Sequence, residues 1–256
     1  MNNSELIDRI MQKKEFSKLP HEDVVLAFEK FDKPRNSEYQ KLKLTRNFLR
    51  GIYSSFSSRK LLSVSKTKEA DWYLIKHKST KERYDYYKEI YGRIFRDIKK
   101  GSVVDLGAGV NGFSYQFFKN LGLEVDYVAV EAVGQLVELM NKFFSENKIN
   151  GEAFHLSVFE IDKLKDLIKK QQNPKIIFLF KIIDSIEALK RDYSKDLIIE
   201  VSKLSKRIAL SFATKSLGKR KKFHANRNWI LKFIRENFNI LDDFELNGER
   251  YIVFEN

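Results

Sequence analysis

The stretch Ser102-Val103-Val104-Asp105-Leu106-Gly107-Ala108-Gly109-Val110-Asn111-Gly112 decides the fold. Residues 102–106 are short, apolar and β-branched in the middle, the pattern of a buried strand. The glycines that follow let the backbone turn tightly and approach a ligand closely. Gly107, Gly109 and Gly112 fit the spacing G-x-G-x-x-G. A second strand pattern at 127–130 ends on Glu131, 22 residues after Gly109, where a carboxylate can accept both ribose hydroxyls of an adenosine. Two cofactors fit such a turn, a dinucleotide and S-adenosylmethionine. Asp105 stands two residues before the first glycine. A carboxylate there repels a diphosphate and suits a cationic amino-acid group, which favours S-adenosylmethionine.

Outward from this turn, further strand patterns lie at 153–156, 175–180 and 208–212, with helical stretches between most of them and one at 133–146. Such alternation predicts a parallel sheet with crossover helices. The end differs. Residues 240–246 and 250–254 flank Asn247-Gly248, a hairpin signal, so the sheet is expected to close with an antiparallel strand. Up to Lys100 no strand pattern is visible. Ser4 is a candidate cap for a first helix, Pro20 opens a second, and Lys33-Pro34-Arg35-Asn36 separates it from a third over about 37–56. Thr80 is a candidate cap for a long helix carrying Tyr84, Tyr87, Tyr91, Ile94 and Ile98. The expected fold class is α/β: a Rossmann-like class I methyltransferase sheet over 99–256, preceded by an all-helical domain over 1–98.

The charge is uneven. The chain of 256 residues has a formal net charge of +13, and residues 1–100 carry +10 of it. Residues 39–68 hold eight basic side chains and no acidic one, and residues 201–235 hold eleven and none. Long single-sign windows predict a polyanionic partner, and nucleic acid fits better than an anionic membrane. Leu42, Leu44, Phe48, Leu49, Ile52 and Tyr53 nevertheless offer the apolar face that a membrane-surface helix needs. Lys41, Lys43, Arg46, Arg50, Arg59 and Lys60 in the first window, with Lys215, Lys219 and Arg220 in the second, are the candidate RNA contacts. The beginning of the chain shows no signal peptide and no apolar run spans a bilayer, so a cytoplasmic location is expected.

Cysteine is absent, which removes disulfides, thiolate metal sites and cysteine nucleophiles. Methylation at C5 of a pyrimidine normally needs such a nucleophile. The four histidines, His21, His77, His155 and His224, are scattered, so no metal is expected. Phe180-Lys181-Ile182-Ile183-Asp184 carries no proline of the kind that amino-group methylating enzymes use after the fourth strand. Phe212, Trp229 and Tyr115 are candidate stacking platforms for a base turned out of its helix, although core packing suits each of them better.

Three motifs carry a family resemblance. His77-Lys78-Ser79-Thr80-Lys81-Glu82-Arg83 is close to H-x-S-T-x-E-R, residues 105–112 to D-x-G-x-G-x-N-P, and Leu210-Ser211-Phe212-Ala213-Thr214-Lys215-Ser216-Leu217 to S-F-P-x-[KR]-S-L. In these the chain resembles the ribosomal RNA guanine-N7 methyltransferases that confer aminoglycoside resistance. The resemblance implies an S-adenosylmethionine-dependent enzyme acting on 16S ribosomal RNA in the small ribosomal subunit; a monomer with no membrane or metal partner is expected. It implies that Ser79, Thr80 and Arg83 hold the methionine end, with Arg83 on its carboxylate, and that Asp105, Gly107, Gly109, Glu131, Ser157, Val158 and Phe180 complete the cofactor site. Lys181 would be catalytic, at the mouth of the site near methyl and base; Phe56 is a candidate match to an aromatic brought from the helical region, although simple helix packing suits it better. For Arg83 the alternative is a helix-surface pair with Glu82 or Glu89, and for Lys181 a solvated strand-end lysine. Other open readings are another ribosomal RNA or tRNA base, or a catalytically silent RNA-binding protein.

The chain also departs from that pattern. Gly112 and Ala213 stand where the family has proline, and residues 155–160 offer no acid at the expected end of the third strand. Adenine would then be met by Ser157, by backbone groups or by Glu160.

Overall fold

The structure is a computed structural model and describes residues 2–54, 68–214 and 227–256. Seven strands form one sheet: β1 (Lys100–Leu106), β2 (Glu124–Glu131), β3 (Gly151–His155), β4 (Lys175–Phe180), β5 (Arg207–Ala213), β6 (Asn239–Leu246) and β7 (Glu249–Glu255). Their order is β3-β2-β1-β4-β5-β7-β6, with the first five parallel and β7 antiparallel to both neighbours. This is the expected class I methyltransferase sheet, including the closing hairpin at Asn247-Gly248. Both hairpin residues adopt positive φ, as a two-residue turn between twisted strands requires.

Strand alternation builds two cores. Val103, Tyr127, Ala129, Ile176 and Phe178 face one layer, and Val104, Val128, Val130, Ile177 and Leu179 face the other. Helices α9 (Ile161–Lys169), α10 (Ile183–Leu189), α11 (Tyr193–Ser202) and α12 (Asn228–Asn237) contribute to the second layer. The first is covered by α1 (Asn3–Met11), α2 (His21–Glu29), α3 (Glu38–Leu49), α4 (Ala70–Lys76), α6 (Tyr87–Phe95), α7 (Tyr115–Asn120) and α8 (Gly134–Glu146). The helical region therefore shares a continuous core with one face of the sheet. Leu42 and Leu49 are buried in it, and Phe48 and Ile52 pack against it, so most of the apolar face weighed for a membrane surface is covered by protein. Among the described residues no helix is long and apolar enough to cross a membrane.

Three local expectations change. The first helix is capped by Asn2 rather than Ser4: its side chain accepts from the Glu5 amide, and Glu5 reaches back to the Asn2 amide. The third helix starts at its Ser37–Gln40 capping box but loosens into a π-turn at Arg50–Ser54, and Phe56 lies outside the described residues. The long helix expected from Thr80 is interrupted. Thr80 does not cap it; its hydroxyl donates to the carbonyls of Leu74 (2.6 Å) and His77 (3.1 Å), closing a corner at the extended residue His77. That corner joins α4 to α5 (Lys78–Arg83), and a 3-10 turn then leads into α6. The break has a consequence: it turns Ser79, Thr80 and Arg83 inward.

Candidate active site

β1 has β2 on one side and β4 on the other, so the chain reverses direction at its carboxyl end and leaves a crevice there. The crevice is a cleft about 930 Å³ in extent when the space open to solvent is included. Its floor is the turn after β1. Gly107 and Gly109 have φ of +69° and +57°, which L side chains rarely adopt, and a Cβ on Gly107 would lie 2.3 Å from Ile182 Cδ1. The amides of Gly107 and Ala108 donate to the Val130 carbonyl at 2.8 and 3.1 Å, pinning the turn to the end of β2.

Glu131, the last residue of β2, is held ready. One carboxylate oxygen accepts from the Gly109 amide (2.7 Å) and the other from the Val133 amide (2.8 Å). Burial pushes its carboxyl above the ordinary value, and the two amides oppose that. A carboxylate accepting two bonds retains lone pairs for two more. Asp105 is 1% exposed and accepts from Asn111 Nδ2 (2.7 Å) and the Tyr127 hydroxyl. Its carboxyl is also raised by burial, against Tyr127, Asn111 and the charge of Arg83.

Opposite lies a buried charge cluster that sequence reading did not find. Arg83 is 4% exposed and pairs with Glu249 of β7, its Nε 3.0 Å from Oε1 and 3.1 Å from Oε2. The alternative of a surface pair with Glu82 or Glu89 is excluded by this burial. Lys181, immediately after β4, is neither solvated nor free: its ammonium lies 2.8 Å from Glu249 and 2.6 Å from Glu82. It adopts φ +57°, a strained setting for a lysine, with its amide donating to the Ser211 carbonyl. The Ser211 hydroxyl donates to Glu249 at 2.5 Å. Burial alone would raise the Glu249 carboxyl, but Arg83 and Lys181 bring it below its ordinary value. His77 beside them is driven down to about 3 by burial and by the charges of Arg83 and Lys181, so its ring stays neutral. The Asn-Gly turn marks Glu249 as the start of β7, but its place opposite Ala213 at the end of β5 is set by topology, for which the sequence carries no local signal.

The cluster leaves one polar atom over. Arg83 Nη2 is buried and makes no hydrogen bond with the described residues. Its guanidinium stacks on Phe180, 4.9 Å from the ring centroid. Arg83 and Asp105 line the same cleft as Gly107 and Gly109, and an orphaned guanidinium nitrogen and a carboxylate in one cleft fit a zwitterionic amino acid, carboxylate to one and ammonium to the other.

The remaining wall is apolar, formed by Leu136, Leu156, Val158, Phe159, Ile186 and Leu189, with Asp23 and Tyr53 reaching it from the helical region. Ser157 is buried between Leu156 and Val158, and its hydroxyl donates to Asp23. Ser79 lines the cleft, as does Thr80, whose hydroxyl proton is committed to backbone carbonyls. Gly112, standing where proline was expected, abuts α8: a Cβ there would lie 2.7 Å from Phe144 Cζ. The candidate platforms are packed rather than displayed. Tyr115 and Phe212 are buried, the former donating to the Val125 carbonyl, and Trp229 packs against the second core.

Of the candidate RNA contacts, Lys43, Arg46 and Arg50 line a groove with Arg9 and the exposed Tyr39 on α1 and α3. Arg46 donates to the Arg9 carbonyl, and Arg50 pairs with Glu15. Lys41 does not share that groove; it is part-buried against Asp32 at 2.5 Å. Arg59, Lys60, Lys215, Lys219 and Arg220 lie outside the described residues. Among the described residues no group of three or more His, Asp or Glu side chains is placed to hold a metal ion.

A family model described as ribosomal RNA methyltransferase (FmrO) matches residues 67–235. No curated protein sequence matches the chain. Among solved structures, the fold is similar to the 16S rRNA methyltransferase RmtF in complex with S-adenosyl-L-homocysteine, at 19% identity and TM-score 0.79, with each chain covered in full. It is also similar to an rRNA methylase from Escherichia coli (18% identity, TM-score 0.77, each chain covered in full). For the 16S rRNA methylase RmtB the identity is 18% and the TM-score 0.76, covering 100% of this chain and 99% of that one. With more than half of its length matched by that model, the chain belongs to the ribosomal RNA methyltransferase (FmrO) family.

Proposed function

We propose that this protein transfers a methyl group from S-adenosylmethionine to N7 of a guanine in 16S ribosomal RNA, acting on the assembled small subunit. The observation that carries the reading is one cleft lined by Glu131, by Arg83 and Asp105, and by Lys181. Membership of a ribosomal RNA methyltransferase family and full-length likeness to proteins described as 16S rRNA methylases support the substrate. Bound S-adenosylmethionine supplies an activated methyl on a sulfonium. The chain supplies placement. Glu131 accepts the ribose hydroxyls, Arg83 Nη2 takes the methionine carboxylate, Asp105 faces the ammonium, and Leu156 and Val158 flank adenine. Ser79 and Phe180 line the methionine end.

Guanine N7 already carries a lone pair, so no base has to remove a proton. Alignment is then the main demand. Lys181 is the catalytic residue of this scheme: as a donor to the neighbouring guanine O6 it holds the acceptor edge while leaving the N7 lone pair open. The absence of cysteine and of a proline loop after β4 removes two competing base chemistries.

Replacing Glu131 by Ala strands the two ribose hydroxyls and should weaken S-adenosylhomocysteine binding by about 1–3 kcal/mol in calorimetry. Unchanged affinity would move the ribose elsewhere. The groove on α1 and α3 is the proposed docking surface, within a helical segment over 1–98. Lys43→Glu and Arg46→Glu should each flatten the slope of log affinity against log salt by about 0.7–0.9 on 30S subunits. Lys41→Ala should leave the slope as it is, because its charge is already spent on Asp32. Equal slopes for all three variants would remove this face from docking. The base itself is tested by borohydride and aniline treatment followed by primer extension. N7 methylation leaves the ring cationic and the strand cleavable there, so one strong stop at a guanine is expected; a stop at an adenine or at no base would overturn the N7 assignment.

A further inference from the structure

The end of the cleft assigned to adenine carries an acid from an unexpected place. Asp23 lies in the first turn of α2, far in sequence from the sheet, and is 2% exposed. It lines the cleft with Leu156, Val158 and Leu189. Its two carboxylate oxygens are fixed separately: Oδ1 accepts from the Ser157 hydroxyl, in the loop after β3, and Oδ2 from the Tyr53 hydroxyl at 2.5 Å. α2 packs against α10, whose Ile186 and Leu189 face the same space. Glu160, the other acid nearby, is committed to Lys163 and to the Ser157 amide.

Burying a carboxylate with two hydroxyl partners is costly. Among the described residues no cation pairs with Asp23, and its charged neighbours Glu160 and Glu22 are acidic; burial is the main reason its carboxyl is raised above the ordinary range. Both oxygens are oriented and each retains an accepting lone pair. What the site lacks is a donor arriving from the cleft.

We propose that Asp23 is the acceptor for the exocyclic amine of the bound adenine, so that the helical region completes the cofactor site from outside the sheet. This rests on the S-adenosylmethionine reading above. A 6-amino purine supplies the missing donor, and a 6-oxo purine presents an acceptor to an acceptor. Ser157 and Tyr53 are then positioning residues, which hold the carboxylate rather than the ligand. The assignment also explains why the expected position at the end of β3 carries no acid: a serine just beyond it grips one from α2 instead.

The test uses the full chain and two probes, S-adenosylhomocysteine and S-inosylhomocysteine, titrated by calorimetry. The unmodified protein should bind the adenine compound about 10- to 100-fold more tightly, the range for a hydrogen bond to a charged group. Asp23→Asn should reduce that preference to within about threefold or reverse it, since a carboxamide N–H can donate to a 6-oxo group. Asp23→Leu, similar in volume but unable to accept, should also lose the preference and serves if the first variant does not melt cooperatively. An unmodified protein that binds both probes within threefold overturns the proposal with no variant needed. So does a variant that weakens both probes equally, which marks Asp23 as purely structural, or one that keeps the full preference. If the unmodified protein binds neither probe, the cofactor reading fails first and takes this inference with it.

Discussion

Glu249→Ala is expected to lower stability by about 3–5 kcal/mol, because it leaves two buried cations without their shared counter-charge. Arg83 is 4% exposed and the Lys181 side chain 7%, and Glu249 itself is 2% exposed. Glu82 is partly open to solvent and serves only Lys181, so it cannot replace the lost charge at Arg83. Urea denaturation monitored by circular dichroism measures the change; a loss under 1 kcal/mol would mean that solvent reaches this cluster. Glu249→Gln keeps the shape and removes the charge, which gives a pH signature. The folded carboxyl lies below its ordinary value of 4.5. Its contribution is therefore complete above about pH 4.5 and is lost as pH falls through the depressed value. The stability gap between the unmodified protein and Glu249→Gln should narrow below that pH and be constant from pH 6 to 8. A gap that widens in acid would contradict the ion-pair account.

Lys181→Ala is expected to lower methyl transfer by about 10²–10³-fold, the cost of removing one preorganised donor at a reacting group. Cofactor affinity should change by no more than about threefold, since the proposed cofactor contacts lie on Glu131, Arg83 and Asp105. Affinity for 30S subunits should hold as well, because the basic groove lies on α1 and α3. Single-turnover transfer with saturating subunits separates these quantities. A variant that retains a third of the parent rate would reduce Lys181 to a structural member of the Glu249 cluster.

The sheet was legible because its strands are short apolar runs bounded by punctuation. The 102–106 run, the glycine turn and the Asn247-Gly248 hairpin each rest on local chemistry that tertiary contacts reinforce. The helical region was less legible. Tyr84, Tyr87, Tyr91 and Ile94 recur at helical spacing, so the pattern gave no sign that Thr80 would spend its hydroxyl on the carbonyls of Leu74 and His77 and break the helix. Ser4 looked like a cap, but Asn2 had its reciprocal partner at Glu5.

The site divides in the same way. Asp105, Gly107, Gly109 and Glu131 could be found because a short motif and a fixed spacing tie them to one turn. Glu249 lies 166 positions from Arg83, and Asp23 lies 134 from Ser157. Pairs of that separation are set by topology, and one sequence carries no periodicity that joins them. Family likeness pointed to Arg83 and Lys181 as candidate positions but not to Glu249, the carboxylate that pairs with both.

Methyl transfer from labelled S-adenosylmethionine to purified 30S subunits, with free 16S RNA and tRNA in parallel, followed by nucleoside mass spectrometry, tests the central claim most directly. The account predicts 7-methylguanosine at close to one per subunit, with far less label on free RNA and none on tRNA. Label recovered as 1-methyladenosine, or incorporated on tRNA and absent from 30S subunits, would contradict it.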